Sequence, residues 1–534
     1  MATDTEFDVI IVGMGPVGAL AALLLGESGV RTAVVERDRE VYRLPRAVNL
    51  DGEIIRALQR IGRGETVNQL MQQVRPGERA GFADSRRQWL FGTEAKAFGV
   101  NGWQPMNMFD QPELETYLRE EAMQQENVTA YIGYEAELLR HASANANDAV
   151  EVSLSASGQH RTATLRARYL IACDGASSGI RKQLGIGWES LGYDHDWLVV
   201  DVTTRPGHTL DNNTVQVCDP QRLSTYVCTK DPYRRWEFRL NDGETAQQML
   251  QEETIRSLID PWTPRDTYEI RRAAVYQFHA ATAERWRVDN VFLAGDAAHQ
   301  TPPFLGQGMN AGMRDAINLA WKLDFVINGF ATDALLDTYE SERDAHARDL
   351  VEWAVSIGRL MEHLAEVERA GNLGEPPPDT PPALHSAGYG QGREQPPLRA
   401  GMVMTSQVSD DDSTGNLLSQ PMISDHGGEP IRMDELLGPG FALIVTNRDG
   451  VEMVEMNDAS RRILDRIGAR IVSLAGLQSV RGHLDRVFNE HEAALIRPDR
   501  IVFGHSTASL NVDGLVSELA RHLNLIEPDA TATR

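Results

Sequence analysis

The alternation of apolar and polar positions at the start of the chain predicts a strand, a tight turn and a helix. Phe7 to Val12 is an apolar run that predicts a buried strand, and Ala19 to Gly29 predicts a helix. Between them lies Gly13-Met14-Gly15-Pro16-Val17-Gly18, and Thr32 to Val35 predicts a second strand. This order indicates an α/β fold.

The pattern changes character between about residues 190 and 280. Several strand-like segments follow one another there without alternating helices, which predicts an antiparallel sheet. These segments are Trp197 to Thr203, Thr214 to Cys218, Ser224 to Cys228, Arg235 to Leu240 and Tyr268 to Phe278.

The last third of the chain predicts a linker and a separate α/β unit. Residues 371–401 are rich in Pro and Gly and predict the linker, and no strand precedes the glycines at 388–392, so they are not interpreted as a nucleotide site. The predicted domains are 1–189 with 280–370, which ends in long helices, then the sheet domain 190–279, the linker 371–401, and the C-terminal unit 402–534.

Length and charge narrow the class of protein. A chain of 534 residues exceeds the usual size of one core, so two or three domains are expected. The formal net charge of -25 argues against nucleic acid and anionic membranes as partners. Without a long apolar run or a signal peptide, the expected location is cytoplasmic. Cys173, Cys218 and Cys228 form no CxxC pair, so neither a disulfide framework nor a metal site is predicted.

The glycines near the N-terminus have the spacing of a dinucleotide fingerprint. Gly13 permits the turn, Gly15 lets the backbone approach a pyrophosphate, and Gly18 lets the helix pack closely on the strand. Glu36 ends the second strand at the spacing expected for a ribose hydroxyl acceptor. A glycine turn without a ligand is the alternative, but the complete strand, turn and helix context favours a bound nucleotide.

A second group of residues points to a flavin. Asp296 follows the apolar run Val291 to Ala294, where its carboxylate can accept hydrogen bonds from a ribityl chain. Gly306 to Asn310, which includes Gly308 and Met309, opens a helix whose positive N-terminus stabilises the negative charge of a reduced flavin. These features predict FAD, and an ordinary loop with an acidic helix cap is the alternative.

Several longer stretches carry a resemblance to a known family. With Pro45 to Glu53, Trp197 to Val202, Arg234 to Phe238, and the block from Gly295 to Ala316, the chain resembles the group A flavoprotein monooxygenases of the para-hydroxybenzoate hydroxylase and phenol hydroxylase type. The similarity covers about the first 360 residues. Within that family the chain is most similar to enzymes that act on phenols with a short carboxylate side chain.

The resemblance implies the following architecture and cofactor contacts. The fold is a Rossmann-like FAD-binding domain with an antiparallel substrate sheet and a C-terminal thioredoxin-like domain. Because no cysteine follows Cys228, thioredoxin chemistry is excluded there, and a packing role or a homodimer contact is expected. Arg37, Arg46, Gln111 and Asp174 are expected to hold FAD, and for Arg46 and Gln111 the alternative is an ordinary surface position.

The pyridine nucleotide has no domain of its own in the sequence. No second Gly-x-Gly-x-x-Gly occurs in strand, turn and helix context, so NADH or NADPH is expected to visit the flavin transiently. The resemblance implies that the Asp174 to Arg181 motif serves both nucleotides, although Arg181 alone is also consistent with a structural ion pair. It further implies that the isoalloxazine swings outward to be reduced and inward to react.

The expected reaction is hydroxylation of a phenolic acid ortho to its hydroxyl. By resemblance, O2 forms a C4a-hydroperoxyflavin that attacks the ring, in aromatic catabolism. A phenol ring needs deprotonation to react well, so a general base is wanted. By resemblance that base is Asp51, and the alternative is a helix N-cap for Ile54 to Ile61.

Two further residues are candidates for the chemistry. Arg235 shares one face of its predicted strand with Glu237 and Arg239, and either binds a substrate carboxylate or phenolate or lies on a solvated face. The resemblance gives the backbone at Pro303 a role in positioning the oxidant, although prolines also simply stiffen a turn. The competing interpretations are a tailoring or other oxygenase on the same scaffold, and a flavin-binding protein without turnover.

Overall fold

The computed structural model describes residues 6–141, 149–156, 161–371, 395–409, 413–425, 428–446, 455–485 and 487–525. Most of the predicted linker, including the glycines at 388–392, lies outside these residues. Within them the strands of the N-terminal half are β1 Phe7–Val12, β2 Thr32–Glu36, β3 Asn49–Asp51, β4 Arg79–Ala83, β5 Trp89–Glu94, β6 Met106–Met108, β7 Val128–Ile132, β8 Tyr134–Arg140, β9 Val150–Ala156, β10 Arg161–Ala172, β11 Trp188–Thr204, β12 Thr214–Asp219, β13 Arg222–Val227, β14 Tyr233–Arg239 and β15 Tyr268–Ala283.

The remaining strands have two to four residues each. They are β16 Arg287–Val288, β17 Val291–Leu293, β18 His299–Gln300, β19 Met422–Ser424, β20 Ile431–Arg432, β21 Ala442–Val445, β22 Arg470–Ser473, β23 Gln478–Arg481, β24 Ala493–Ile496 and β25 Val502–His505. The helices are α1 Pro16–Glu27, α2 Gly52–Gln59, α3 Gly64–Leu70, α4 Gln111–Met123, α5 Gly179–Gln183, α6 Ala246–Met249, α7 Glu252–Ile259, α8 Gly308–Ile327, α9 Thr338–Arg369, α10 Met433–Leu437, α11 Asp458–Arg466, α12 Val487–Glu490 and α13 Val512–Leu523.

The first sheet has a parallel centre in which β1 lies between β10 and β2. Strands β1 and β2 of that centre are almost entirely buried because helices α1, α4 and α8 pack against the sheet, which explains the continuous apolar run of β1. The amide of Cys173 donates to the Val12 carbonyl at 2.8 Å, and that of Ala294 donates to Ala172 at 3.0 Å. The carboxyl ends of β1, β10 and β17 therefore meet at one edge, which brings the three sequence motifs together.

The second sheet has the order β18-β15-β11-β14-β13-β12-β4-β5 and is antiparallel except between β12 and β4. The prediction of an antiparallel sheet is confirmed. The sheet is larger than the predicted 190–279 segment, because β4 and β5 join it from the N-terminal part of the chain. One face packs against α6 and α7, and the opposite face packs partly against α9.

The C-terminal unit contains a four-stranded sheet of order β22-β21-β24-β25, in which only β21 and β22 run parallel. With α11 between β21 and β22, and α13 after β25, this is the predicted thioredoxin-like arrangement. The unit packs against the first domain through Phe441, whose ring lies 5.6 Å from that of Trp321. Buried ion pairs also join the two, among them Arg56 to Asp434 at 2.8 Å and Arg497 to Glu342 at 2.9 Å.

Within the residues that the structure describes, we find no helix that combines the length and the apolar character needed to cross a bilayer.

Candidate active site

The N-terminal glycines shape one wall of a crevice at the edge of the first sheet. Gly13 has a φ of +96°, and a Cβ there would lie 2.3 Å from the Cys173 carbonyl oxygen. A Cβ on Gly18 would lie 2.0 Å from the Gly13 carbonyl oxygen, so both positions require glycine. A Cβ on Gly15 would instead meet open space, with nothing within 4 Å. The space beside Gly15, at the N-terminus of α1, is where a phosphate group fits.

Glu36 lies at the carboxyl end of β2 and helps to hold the same turn. Its carboxylate accepts hydrogen bonds from the amides of Met14 at 2.7 Å and Asp38 at 2.8 Å. Each carboxylate oxygen has further acceptor capacity, which is compatible with the predicted ribose contact. Arg37 is exposed beside it and lies 3.6 Å from Asp38.

The carboxylates of Asp174 and Asp296 lie in the crevice with acceptor positions that no described residue fills. Asp174 accepts one bond, from the Ile180 amide at 3.2 Å, while its buried Oδ1 has no hydrogen-bond partner among the described residues. Asp296 is open to the crevice, yet desolvation by the surrounding protein raises its pKa, with His299 and Arg46 acting in the opposite sense. Carboxylate oxygens that have no hydrogen-bond partner within the described residues suit a ligand rich in hydroxyl and amide donors.

The turn that carries Asp296 is held from behind by Asp315. The Asp315 carboxylate accepts hydrogen bonds from the Gly295 amide and from Arg343 Nε, both at 2.9 Å, and lies 2.9 Å from His299 Nε2. These contacts lower the pKa of Asp315 against the opposing effect of its burial. His299 is therefore a buried hydrogen-bonded residue.

Helix α8 begins at Gly308 beside the crevice. Its first amides have no partner within the helix, which is the arrangement expected for stabilising an anion. Asn310 accepts a hydrogen bond from the Asp51 amide at 2.9 Å and donates to the Asn49 carbonyl at 3.1 Å. Asn310 thus links α8 to β3 through hydrogen bonds. Met309, which lies between Gly308 and Asn310 in the sequence, is half-buried.

Asp51 is buried in a network of polar side chains. It occupies the N-cap position of α2, but its side chain accepts no hydrogen bond from the first amides of that helix. The helix-cap alternative is therefore wrong about what the Asp51 carboxylate binds. Its carboxylate pairs with Arg314 at 2.5 Å and accepts hydrogen bonds from the side-chain amides of Asn49 and Gln307, both at 3.1 Å. Arg314 also donates to Glu53 at 2.7 Å. The role of Asp51 as a general base stays a prediction.

Arg46 and Gln111, which were both expected to hold FAD, contact each other through the backbone of the Arg46 segment. The side-chain oxygen of Gln111 accepts hydrogen bonds from the amides of Arg46 and Ala47, both at 2.8 Å. Gln111 therefore shapes the Arg46 loop. The exposed Arg46 side chain lies near enough to Asp296 to lower its pKa, so it remains available to a ligand in the crevice.

Arg235 holds the same loop from the second sheet. It is buried, donates to Asp201 at 2.7 Å, and donates to the carbonyl oxygens of Arg46 at 2.7 Å and Pro45 at 2.8 Å. The solvated-face alternative is wrong, because Arg235 and Glu237 are both buried. The substrate-binding expectation also needs correction, since the guanidinium already bonds to protein groups. The structure assigns Arg235 to positioning the Arg46 loop.

Two other candidates have backbone or structural partners. The Pro303 carbonyl accepts a hydrogen bond from the Gly306 amide at 2.8 Å and so closes the turn that precedes α8. Arg181 is buried, donates to the Ile186 carbonyl at 2.6 Å, and lies 4.2 Å from the centre of the Trp188 ring. Both residues therefore have a structural function in this arrangement.

The matches to family models and to curated relatives agree with this geometry. A model described as an FAD binding domain matches residues 6–354, and one described as an HcaD C-terminal domain matches residues 415–522. A protein of Escherichia coli O139:H28 (strain E24377A / ETEC), named 3-(3-hydroxy-phenyl)propionate/3-hydroxycinnamic acid hydroxylase, is 31% identical over 99% of this chain and 97% of its own length. The protein of the same name from Shigella sonnei (strain Ss046) is also 31% identical, over the same shares.

This chain belongs to the FAD-dependent aromatic hydroxylases.

Solved structures show the same fold over nearly the whole hydroxylase. Aklavinone-11 hydroxylase, in a ternary complex with FAD and aklavinone, is 26% identical with a TM-score of 0.78, covering 98% of this chain and 100% of that chain. The flavin-dependent monooxygenase PieE, in complex with FAD and substrate, is 22% identical with a TM-score of 0.75 over the same shares and supports the fold alone. The hydroxylase therefore binds FAD and is a monooxygenase.

The sequence did not single out several residues of the site. Asp315 and Arg343 lie 28 positions apart, and only the packing of α8 against α9 joins them. Arg314 lies within a stretch that carried the family resemblance, but its pairing with Asp51 spans 263 positions. Glu237 was noted only as a neighbour of Arg235 on one strand face. A buried carboxylate cannot be recognised from sequence when its surroundings come from other strands.

Proposed function

We propose that the hydroxylase acts on a phenol that carries a short carboxylate side chain, such as 3-(3-hydroxyphenyl)propionate, and adds one hydroxyl ortho to the existing one. The similarity to relatives of that name along nearly the whole chain carries this proposal. The reaction would use O2 and NADH or NADPH and would serve aromatic catabolism. No second fingerprint for a nucleotide occurs in the sequence, which supports a transient visit by the reductant.

The chain's own groups suit the binding of FAD and of a flat aromatic substrate. Asp174, Asp296 and the N-terminus of α8 offer acceptors and a positive helix end, and bound FAD supplies the oxygen-transfer chemistry. The second sheet covers the crevice through Arg235, which bonds to the Arg46 loop, and through Gln216, which donates to the Phe304 carbonyl at 3.5 Å. A ring held between this sheet and the crevice would be shielded from water.

A tailoring hydroxylase is the second candidate. The match to aklavinone-11 hydroxylase, a protein crystallised with a much larger aromatic molecule, favours it. The substrate size therefore separates the two proposals.

A substrate panel tests both. Purified holoenzyme is mixed with NADH or NADPH and with 3-(3-hydroxyphenyl)propionate, 3-hydroxycinnamate, aklavinone, or phenylpropionate as a control without a phenol. Nucleotide oxidation, hydrogen peroxide and product mass are followed together. We expect coupled hydroxylation of a phenolic acid. Coupled turnover of aklavinone alone would favour the tailoring reaction, and turnover of none would contradict both.

A further inference from the structure

Glu237 lies on the face of the second sheet that is turned toward the crevice. Arg235, two positions earlier on β14, shares that face and donates a hydrogen bond to the Arg46 loop. Across the sheet, Glu237 is paired in register with Val199 on β11 and with Thr225 on β13, and Thr225 is paired with Gln216 on β12. Glu237 therefore lies between the two points at which the sheet contacts cofactor-binding segments.

The second of those points is Gln216, whose side chain donates to the Phe304 carbonyl at 3.5 Å, in the turn that leads to α8. The hydroxyl of Thr225 donates to the side-chain oxygen of Gln216, so this part of the row is internally bonded. Glu237 is different. No group within the described ranges donates a hydrogen bond to its carboxylate, although its side chain is only 6% exposed.

The charged groups around Glu237 come from three strands. Arg235 Nη1 is the nearest charged atom, at 3.8 Å, but the Arg235 guanidinium already donates hydrogen bonds to Asp201 and to two backbone carbonyls. Arg272 on β15 and Asp201 on β11 act at longer range, while β12 and β13 contribute the neutral Gln216 and Thr225. Burial raises the pKa of Glu237 to about 7, with Arg235 opposing that shift, Asp201 adding to it and Arg272 opposing it.

A buried carboxyl group without a hydrogen bond is costly to keep, so its position calls for a function. Asp51, the base expected from the sequence, differs in this respect because Arg314, Asn49 and Gln307 already occupy its carboxylate. Accepting a proton there would weaken the pairing of a buried arginine. Glu237 has free acceptor positions, and its ion pair with Arg235 is long, at 3.8 Å.

We propose that Glu237 is a catalytic residue that accepts the proton of the substrate's phenolic hydroxyl. This inference rests on the proposed function. The phenol O–H bond breaks, an O–H bond forms on the Glu237 carboxylate, and the electron pair stays on the phenolate oxygen, where it activates the ring. Glu237 returns the proton to that oxygen as the product forms, so the step is balanced and needs no further reactant.

The test uses holoenzyme in which Glu237 is replaced by Gln, with Glu362→Gln as the matched control. Glu362 on α9 is half-buried and pairs with Arg239, two residues after Glu237, and with His195. With 3-(3-hydroxyphenyl)propionate, we expect Glu237→Gln to slow product formation by about 10²- to 10⁴-fold, with the NADH that is still consumed appearing as peroxide. The control should retain wild-type coupling.

A binding measurement separates a proton acceptor from a residue that only supports the fold. Bound 3-(3-hydroxyphenyl)propionate is titrated by its phenolate absorbance, without NADH. With a pKa of about 7, Glu237 is a carboxylate at the pH where a phenol ionises, so it should raise the pKa of the bound phenol above that of the free phenol, and Glu237→Gln should remove that rise. Should Glu237→Gln lose FAD, Glu237→Asp takes its place, and it should keep the raised pKa of the bound phenol while turning over more slowly.

The results of these experiments test the proposed function and the role of Glu237 separately. Wild-type enzyme that hydroxylates no phenol would contradict the proposed function itself. Active wild-type enzyme together with a coupled Glu237→Gln variant, or a bound-phenol pKa that Glu237→Gln leaves unchanged and Asp51→Asn lowers, would overturn the role of Glu237 and leave the proposed function intact.

Discussion

At the scale of single residues, Asp296 combines a fixed backbone with an open carboxylate. The Gly295 amide is held by Asp315 at 2.9 Å, while the Asp296 carboxylate faces the crevice. We expect Asp296→Ala to weaken FAD binding by about 10- to 100-fold, because a hydrogen bond to a charged group contributes about 1.5–3 kcal/mol. Flavin absorbance after gel filtration measures the loss, with Asp242→Ala in an exposed turn as the control. Full flavin occupancy of the variant at submicromolar protein would contradict the assignment.

The raised pKa of Glu237 should also make the free energy of unfolding depend on pH. Its folded pKa of about 7 lies above the ordinary value of 4.5, so the folded protein binds the proton more tightly than the unfolded chain does. The wild type therefore loses stability as pH rises from about 4.5 to about 7, by roughly 3 kcal/mol in all at about 1.4 kcal/mol per pKa unit. Urea unfolding of wild type and Glu237→Gln at pH 5 and pH 8 tests this. If the two proteins show the same pH dependence, the carboxyl group is not buried as described.

Asp51 is expected to act through its neighbours. Replacing it with Asn removes one of the two carboxylates that face Arg314, the other being Glu53. We expect a loss of about 1–3 kcal/mol in the free energy of unfolding, because a buried charged donor loses part of its pairing. Thermal unfolding measures that loss, and peroxide formed per NADH consumed reports on proton transfer. An unchanged melting temperature with strongly raised peroxide would instead make Asp51 the base.

The burial of Arg235 and Glu237 and their contacts with other strands could not be predicted from the sequence. Period two correctly grouped Arg235 with Glu237 on one strand face, but charged residues are usually exposed, so the pattern did not reveal that this face is buried. The partner of Arg235 is Asp201, on a neighbouring strand 34 positions away. Such contacts depend on strand pairing, which a single sequence does not specify.

At the scale of elements, the β1–α1 unit was predictable because its signals are local. An apolar run, three spaced glycines and a helical segment specify it without reference to the rest of the chain. The strands β11 to β15 were also predicted from their own composition. The addition of β4 to the sheet was not, because its pairing of Ala80 with Thr214 joins distant parts of the chain.

The glycines of that unit separate folding from cofactor binding. Gly18→Ala should destabilise the protein even without FAD, because its Cβ would lie 2.0 Å from the Gly13 carbonyl oxygen. Gly15→Ala should fold normally and lose FAD affinity, because its Cβ enters only the open space where a phosphate fits. Thermal unfolding of the apoproteins and flavin titration measure the two effects. Equal destabilisation by both substitutions would argue against this division.

At the scale of the whole molecule, buried ion pairs attach the C-terminal unit to the FAD-binding domain. Asp434 lies 2.8 Å from Arg56 of the first domain and 3.0 Å from Arg500 of its own unit, and all three are buried. Asp434→Ala should cost about 3–5 kcal/mol, because it leaves two buried arginines without their shared carboxylate. Chemical unfolding measures this, with the exposed neighbour Glu435→Ala as control, and the flavin spectrum of folded variant should stay normal. Loss of hydroxylation alone, with stability unchanged, would instead give the C-terminal unit a part in the chemistry.

FAD is bound in the crevice, and we propose that the sheet above it holds a phenolic acid for hydroxylation. The most direct measurement supplies holoenzyme with NADH, isotopically labelled O2 and 3-(3-hydroxyphenyl)propionate, and determines the mass of the product. We expect a dihydroxylated acid that contains one labelled oxygen atom, formed in proportion to the NADH consumed. A yellow protein whose NADH oxidation is unaffected by this or any other phenol, and which incorporates no label, would contradict the account.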